Sequence, residues 1–160
     1  MRGLVLFTAG VGVGILLMQP GIAQSDPGRK LNHVGIAVKN FDEAVNYYTQ
    51  TMGFRRAFAF KNPDGSPALT YLQISKETFL EIQPASATQP AGITHFGLEA
   101  SDLRKYVSGL QRMSVPVQDP AASVRTGALL TNATDREGIR VELLEFGPDS
   151  EQRRAMNAWK

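Results

Sequence analysis

The sequence predicts an α+β fold built from two βαβββ modules, and three observations carry that prediction. Leu31-Asn32-His33-Val34-Gly35-Ile36 recurs as Ile93-Thr94-His95-Phe96-Gly97-Leu98, 62 residues later. A second anchor, Leu80-Glu81-Ile82, recurs as Val141-Glu142-Leu143 at an offset of 61. After each first anchor the apolar spacing changes from strand period to helix period and back in the same order, which is what two copies of one unit produce. Eight strands and two helices follow.

The elements can be justified in order. Leu31 to Val38 is apolar and rich in β-branched residues, a strand. Asn40, with Glu43 three residues on, marks a helix start; Phe41, Ala44, Val45, Tyr48 and Met52 keep helical spacing until Gly53 closes it. Phe54 to Phe60 is a second strand, Asn62-Pro63-Asp64-Gly65 a turn, Ala68 to Ile74 a third strand and Thr78 to Gln83 a fourth. Gln89-Pro90-Ala91-Gly92 links the copies. In the second copy Ile93 to Ala100 is a strand, and Ser101 caps a helix whose apolar face is Leu103, Tyr106, Val107, Leu110 and Met113. Val115 to Gln118 reads as a short strand, Asp119 to Thr126 as a loop, and Gly127 to Ala133 and Ile139 to Phe146 as the last two strands around an Asp135-Arg136-Glu137-Gly138 turn. Residues 147–160 form a polar C-terminal tail with room for a short terminal helix.

Ahead of this domain, which spans 31–146 (modules 31–84 and 93–146), residues 1–23 read as a secretory signal peptide. Arg2 gives a positive start, Gly3 to Met18 is uncharged, and Gly21 and Ala23 place small residues at −3 and −1 of a cleavage after Ala23. The apolar stretch is shorter than the roughly 20 residues that span a bilayer, so no stable membrane anchor is expected. The mature protein is then secreted or periplasmic, beginning with a flexible lead-in over 24–30. Composition agrees: 17 Lys plus Arg against 15 Asp plus Glu gives +2, with no basic stripe for nucleic acid. With no cysteine, thiolate metal sites, cysteine nucleophiles and disulfides are excluded.

The chain has two histidines, and they hold the same phase of the same strand in the two copies. Strand alternation puts His33, Gly35 and Ala37 on one face, opposite Val34, Ile36 and Val38, and does the same for His95, Gly97 and Glu99. Small residues beside each histidine leave room for a cation and a ligand. Glu81 and Glu142 each sit between two apolar residues of a strand. Two imidazoles and two carboxylates make a donor set for one divalent transition metal, Zn, Ni, Co, Mn or Fe, and too nitrogen-rich a set for Ca or Mg. Glu99 shares the His95 face as a candidate for supporting the ligands from behind, while alternation turns Glu145 away to the surface. Arg56, Tyr71, Arg125 and Arg140 are candidates for contacting an anionic small-molecule substrate. The four ligands can meet within one chain or across a homodimer.

These motifs, together with Phe41 to Gly53 containing Tyr47-Tyr48, and Asp135 to Leu143, resemble the vicinal oxygen chelate superfamily of glyoxalases, epimerases, resistance proteins and extradiol dioxygenases. The resemblance implies an eight-stranded open-barrel cup around one metal, with His33, Glu81, His95 and Glu142 in the places of the glyoxalase I-type ligand set. It implies lyase or isomerase chemistry of the lactoylglutathione lyase kind, with Glu142 and Glu81 as catalytic bases. Two other outcomes in the same superfamily are an Fe(II) extradiol-type dioxygenase and a small-molecule binding or resistance protein without turnover. Ala37 stands where glyoxalase I has an arginine for glutathione, so the resemblance does not extend to that cosubstrate. Nor does it extend to coenzyme A, since Asp135 to Ile139 replaces the epimerases' glycine-rich approach to the last strand.

Overall fold

The computed structural model describes residues 28–160; the signal-peptide reading and the start of the lead-in lie outside the described residues. The strands are β1 (Lys30–Val38), β2 (Arg55–Lys61), β3 (Pro67–Ser75), β4 (Thr78–Pro84), β5 (Gly92–Glu99), β6 (Ala121–Ala122), β7 (Leu129–Thr134) and β8 (Arg140–Glu145). The helices are α1 (Phe41–Asn46), extended by a π-helical turn over Tyr47–Thr51, α2 (Leu103–Arg112) and α3 (Glu151–Asn157). All eight strands form one sheet in the order β2-β3-β4-β1-β5-β8-β7-β6. Each half therefore has the same internal arrangement, and the antiparallel β1–β5 pair is the seam between them.

Helices and strands alternate because their apolar faces need cover. Val45 of α1, with Phe41 and Tyr48, packs on Leu72, Leu80, Ile82, Ile36 and Val38. Leu103 and Val107 of α2 pack on Leu143, Leu98 and Val141. These strand residues lie on the face opposite the histidines, leaving the histidine face to line the inside of the sheet. There a third cluster, Tyr71, Phe79, Leu144 and Phe146, is covered by Ala155 and Met156 of α3. The C-terminal tail is thus part of the core, and Ser150 caps its helix by accepting from the Arg153 N–H.

Four local readings are refined or corrected. Asn40 holds the N-cap position of α1 as read but makes no side-chain capping bond: its amide donates to Glu43 Oε2 at 2.9 Å. The cap of α2 is Asp102, which accepts from the Lys105 N–H at 2.9 Å, rather than Ser101. Glu145, read as surface, accepts from the Leu103 N–H at 2.8 Å, so a carboxylate from β8 also serves the positive end of α2. Val115 to Gln118 is no strand. Pro116 lacks a donor, and the carbonyls of Val117 and Gln118 are taken by the side chains of Gln111 and Thr131. The strand lies further on, at β6, inside the segment read as a loop, and pairs with β7.

Candidate metal centre

Strand register brings the candidate ligands together. Across the sheet, Tyr71, Glu81, Gly35 and His95 occupy one continuous row of paired positions on β3, β4, β1 and β5. His33, Gly97, Glu142 and Asn132 occupy the next, on β1, β5, β8 and β7. Each histidine thus faces the other module's glycine, and each glycine has its own module's glutamate on its far side. One donor atom from each of His33, Glu81, His95 and Glu142 lies within 4.8 Å of all the others. The Nε2 atoms of the histidines are 3.0 Å apart, and Glu142 Oε2 is 3.4 Å from His33 Nε2. Glu81 Oε2 is 3.7 Å from both imidazoles. All four come from one chain. A set of two nitrogens and two carboxylate oxygens converging at this spacing fits a divalent transition metal.

Gly35 and Gly97 do more than leave room for a cation. A methyl group on Gly35 would overlap the His95 ring, and one on Gly97 would overlap the His33 ring. Each imidazole rests on bare backbone of the opposite module, which places both Nε2 atoms over the seam.

Polar neighbours hold the rings. Asn32, fully buried, accepts from His33 Nδ1–H at 3.2 Å and donates to the Glu77 carbonyl at 3.1 Å. A register shift between Leu31 and His33 turns Asn32 toward the ring beside it. Thr94, its repeat equivalent, has Oγ1 at 2.8 Å from His95 Nδ1. Sequence reasoning missed both, although the same offset of 62 that found the histidines puts a polar residue immediately before each. Arg140 Nη2 donates to His95 Nδ1 at 2.6 Å.

Burial and charge set the acids and bases apart. Burial pushes the Glu81 carboxyl above its ordinary value, and the partly opposing charge of His33 and the Tyr71 hydrogen bond do not cancel that. Burial raises Glu142 as well, but the His33 hydrogen bond and the charges of His33, His95 and Arg140 outweigh it, leaving Glu142 below the usual carboxylate range. Burial, helped by Arg140 and His33, depresses His95 to about 4. The Tyr71 phenol, raised far above its ordinary range by burial and by Glu81 and Glu142, stays protonated and donates to Glu81 Oε2.

A stability prediction follows from His95. Unfolded, it takes a proton near 6.5; folded, only near 4, so between these values the unfolded chain binds more protons. Its contribution is complete above pH 6.5 and is lost as pH falls toward 4. Glu81, raised above 4.5, has the opposite sign in a window just above that value. Urea midpoints of chelator-treated protein should therefore fall between pH 6.5 and 4.5, and His95→Gln should flatten that slope. Identical slopes in the two proteins would show that His95 is not held neutral.

The two carboxylates of the set open onto a cavity of about 620 Å³, whose lining includes Glu81, Glu142, Tyr71, Arg140, Arg125 and Gln152, with the two imidazoles buried behind them. Of the four candidate substrate contacts, Tyr71, Arg125 and Arg140 line it, with Arg125 exposed at its rim. Arg56 does not: it lies exposed on β2, away from the cavity. Glu99 does not support the ligands either, since its carboxylate is engaged by Arg153 at 3.0 Å and Lys30 at 3.5 Å. It ties α3 to the seam. Gln152, buried on α3 beside Tyr71, was hidden in the segment read as a tail.

The model of the Glyoxalase/Bleomycin resistance protein/Dioxygenase superfamily matches residues 30–143. Among curated proteins none matches the chain. Solved structures share the fold. A Streptomyces coelicolor methylmalonyl-CoA epimerase in complex with 2-nitronate-propionyl-CoA is 20% identical with a TM-score of 0.64, covering 76% of this chain and 96% of its own. The methylmalonyl-CoA epimerase from Mycobacterium tuberculosis is 20% identical with a TM-score of 0.61, covering 77% and 90%. A hypothetical protein from Bacillus halodurans is 19% identical with a TM-score of 0.62, covering 74% and 95%.

Proposed function

The chain belongs to the glyoxalase/bleomycin resistance protein/dioxygenase superfamily, and on that premise we propose that it is an exported, metal-dependent isomerase or lyase that moves a proton next to the carbonyl of a small oxygenated substrate. The observation that carries this reading is the convergence of donor atoms of His33, Glu81, His95 and Glu142 within 4.8 Å, with the two glutamates lining a cavity. A divalent ion held by these four would supply Lewis-acid polarisation of a carbonyl oxygen, lowering the barrier to proton removal from the adjacent carbon. Glu142, kept ionised beside His33, is the base that accepts the proton. Glu81, with its raised proton affinity and the Tyr71 hydroxyl on Oε2, is the acid that returns one. Two carboxylates with separated proton affinities can divide acid and base roles between them. Leu69, Leu130 and Leu144 add an apolar patch to the otherwise polar lining. An exported protein does not meet coenzyme A, so we assign a small carbonyl compound rather than a thioester.

The test begins with metal analysis of the purified protein. One ion per chain is expected, and His33→Ala and His95→Ala should each weaken binding roughly 10- to 100-fold or more. The loaded protein is then incubated with carbonyl compounds in deuterated water, and exchange at the adjacent carbon is followed by NMR. If both histidine variants hold metal like the parent, the cluster is structural and the reading fails. Oxygen consumption with Fe(II), or stoichiometric ligand capture without exchange, would replace it with a dioxygenase or a binding protein respectively.

A further inference from the structure

We propose that Arg140 is an anion anchor released by the metal: in the metal-free centre it holds His95 in a tautomer that cannot ligate through Nε2, and metal binding frees it to take the carboxylate of an anionic substrate. This rests on the metal reading above. Arginine has only donors, so His95 Nδ1, 2.6 Å from Arg140 Nη2, must offer its lone pair. A neutral imidazole with its lone pair there carries its proton on Nε2. That atom lies 3.0 Å from His33 Nε2, which offers a lone pair in the neutral ring whose Nδ1–H donates to Asn32 Oδ1; the bond from His33 to Glu142 belongs to the protonated ring. Each link from Arg140 through His95 and His33 to Asn32 then joins a donor to an acceptor.

A metal between the two imidazoles needs lone pairs on both Nε2 atoms. His33 already presents one. His95 must move its proton to Nδ1, where Thr94 Oγ1 at 2.8 Å can accept it and Arg140 cannot. The Arg140 guanidinium is thereby displaced within the cavity it lines. Its remaining protein contact is weak, Asn132 Oδ1 at 3.4 Å, and among the described residues no carboxylate pairs with it. A half-buried guanidinium that feels the charge of Glu142 and Glu81 but makes no direct ion pair with either, beside a carbonyl-binding centre, matches a substrate carboxylate, which it can bind with two parallel hydrogen bonds. The substrate class is then a small carboxylic acid bearing a carbonyl, and metal binds before substrate.

The chain's two histidines make the test direct. Nitrogen NMR of the metal-free protein should show His95 protonated on Nε2, and zinc should shift the proton to Nδ1. Arg140→Gln should bind zinc roughly tenfold more tightly, since about 1.4 kcal/mol of competing hydrogen bond is removed. The same variant, loaded with zinc, should bind pyruvate roughly tenfold more weakly than the loaded parent. A metal-free protein with His95 already protonated on Nδ1, an unchanged zinc affinity in the variant, or an unchanged pyruvate affinity overturns the inference while leaving the metal reading intact. A parent protein that takes up no zinc overturns both.

Discussion

Gly97→Ala is expected to weaken metal binding roughly 100-fold and to destabilise the protein by about 1–3 kcal/mol, with Gly35→Ala giving the same result from the other side. An added methyl at position 97 falls on the His33 ring, and one at position 35 on the His95 ring. Neither ring can retreat, since both are buried and His33 is tethered by Asn32. The ring must tilt, and its Nε2 leaves the point where four donors meet. Gly147→Ala is the matched control, because its methyl would enter open space. Calorimetric metal titration and urea unfolding of the three variants separate a site effect from a general glycine effect. Parent-like affinity in Gly97→Ala would mean that the imidazoles do not bind through this packing.

The second large effect is expected at Glu142. Glu142→Gln preserves shape but removes the ionised oxygen that accepts the proton, so deuterium exchange should fall by roughly 10²- to 10⁴-fold. Metal affinity should fall too, since an amide is a poorer ligand than a carboxylate, so exchange is compared at saturating metal. Glu81→Gln should leave more exchange than Glu142→Gln, because Glu81 is assigned the return of the proton rather than its first removal. Equal residual rates in the two variants would remove the assigned division of labour.

Much of this centre could be read from the sequence because repetition supplies a second observation of each residue. His33 alone is an ordinary strand histidine; His33 with His95 at matched phase, and Glu81 with Glu142, define a site before any coordinates. Strand register then converts phase into distance. What escaped notice has physical reasons. Val115 to Gln118 has strand-like apolar residues, but Pro116 and side-chain capture of its carbonyls decide otherwise. Glu99 lies on the correct face, but the charges of Arg153 and Lys30 from distant segments claim it. Gln152 reaches the cavity only because α3 folds back over the strands, a tertiary choice that no local pattern announces. Tyr71 and Asn132 hold equivalent register positions beside Glu81 and Glu142, and only the first brings a phenol. That difference is visible in the sequence, but its effect depends on burial.

The ring-on-glycine seam also governs how the protein reaches its native state. Hairpins such as β3–β4 and β7–β8 can zip locally, whereas β1 and β5 must find each other across most of one module. Closing so long a loop raises contact order, which makes the seam a slow, late event. Each half-chain carries one histidine and one glutamate of the ligand set, so the complete centre exists only after that event. An ion that recognises only the joined halves therefore adds nothing to the barrier the chain climbs while folding. It deepens the native basin afterwards, and metal concentration should lengthen the lifetime of the folded protein while leaving its folding rate unchanged.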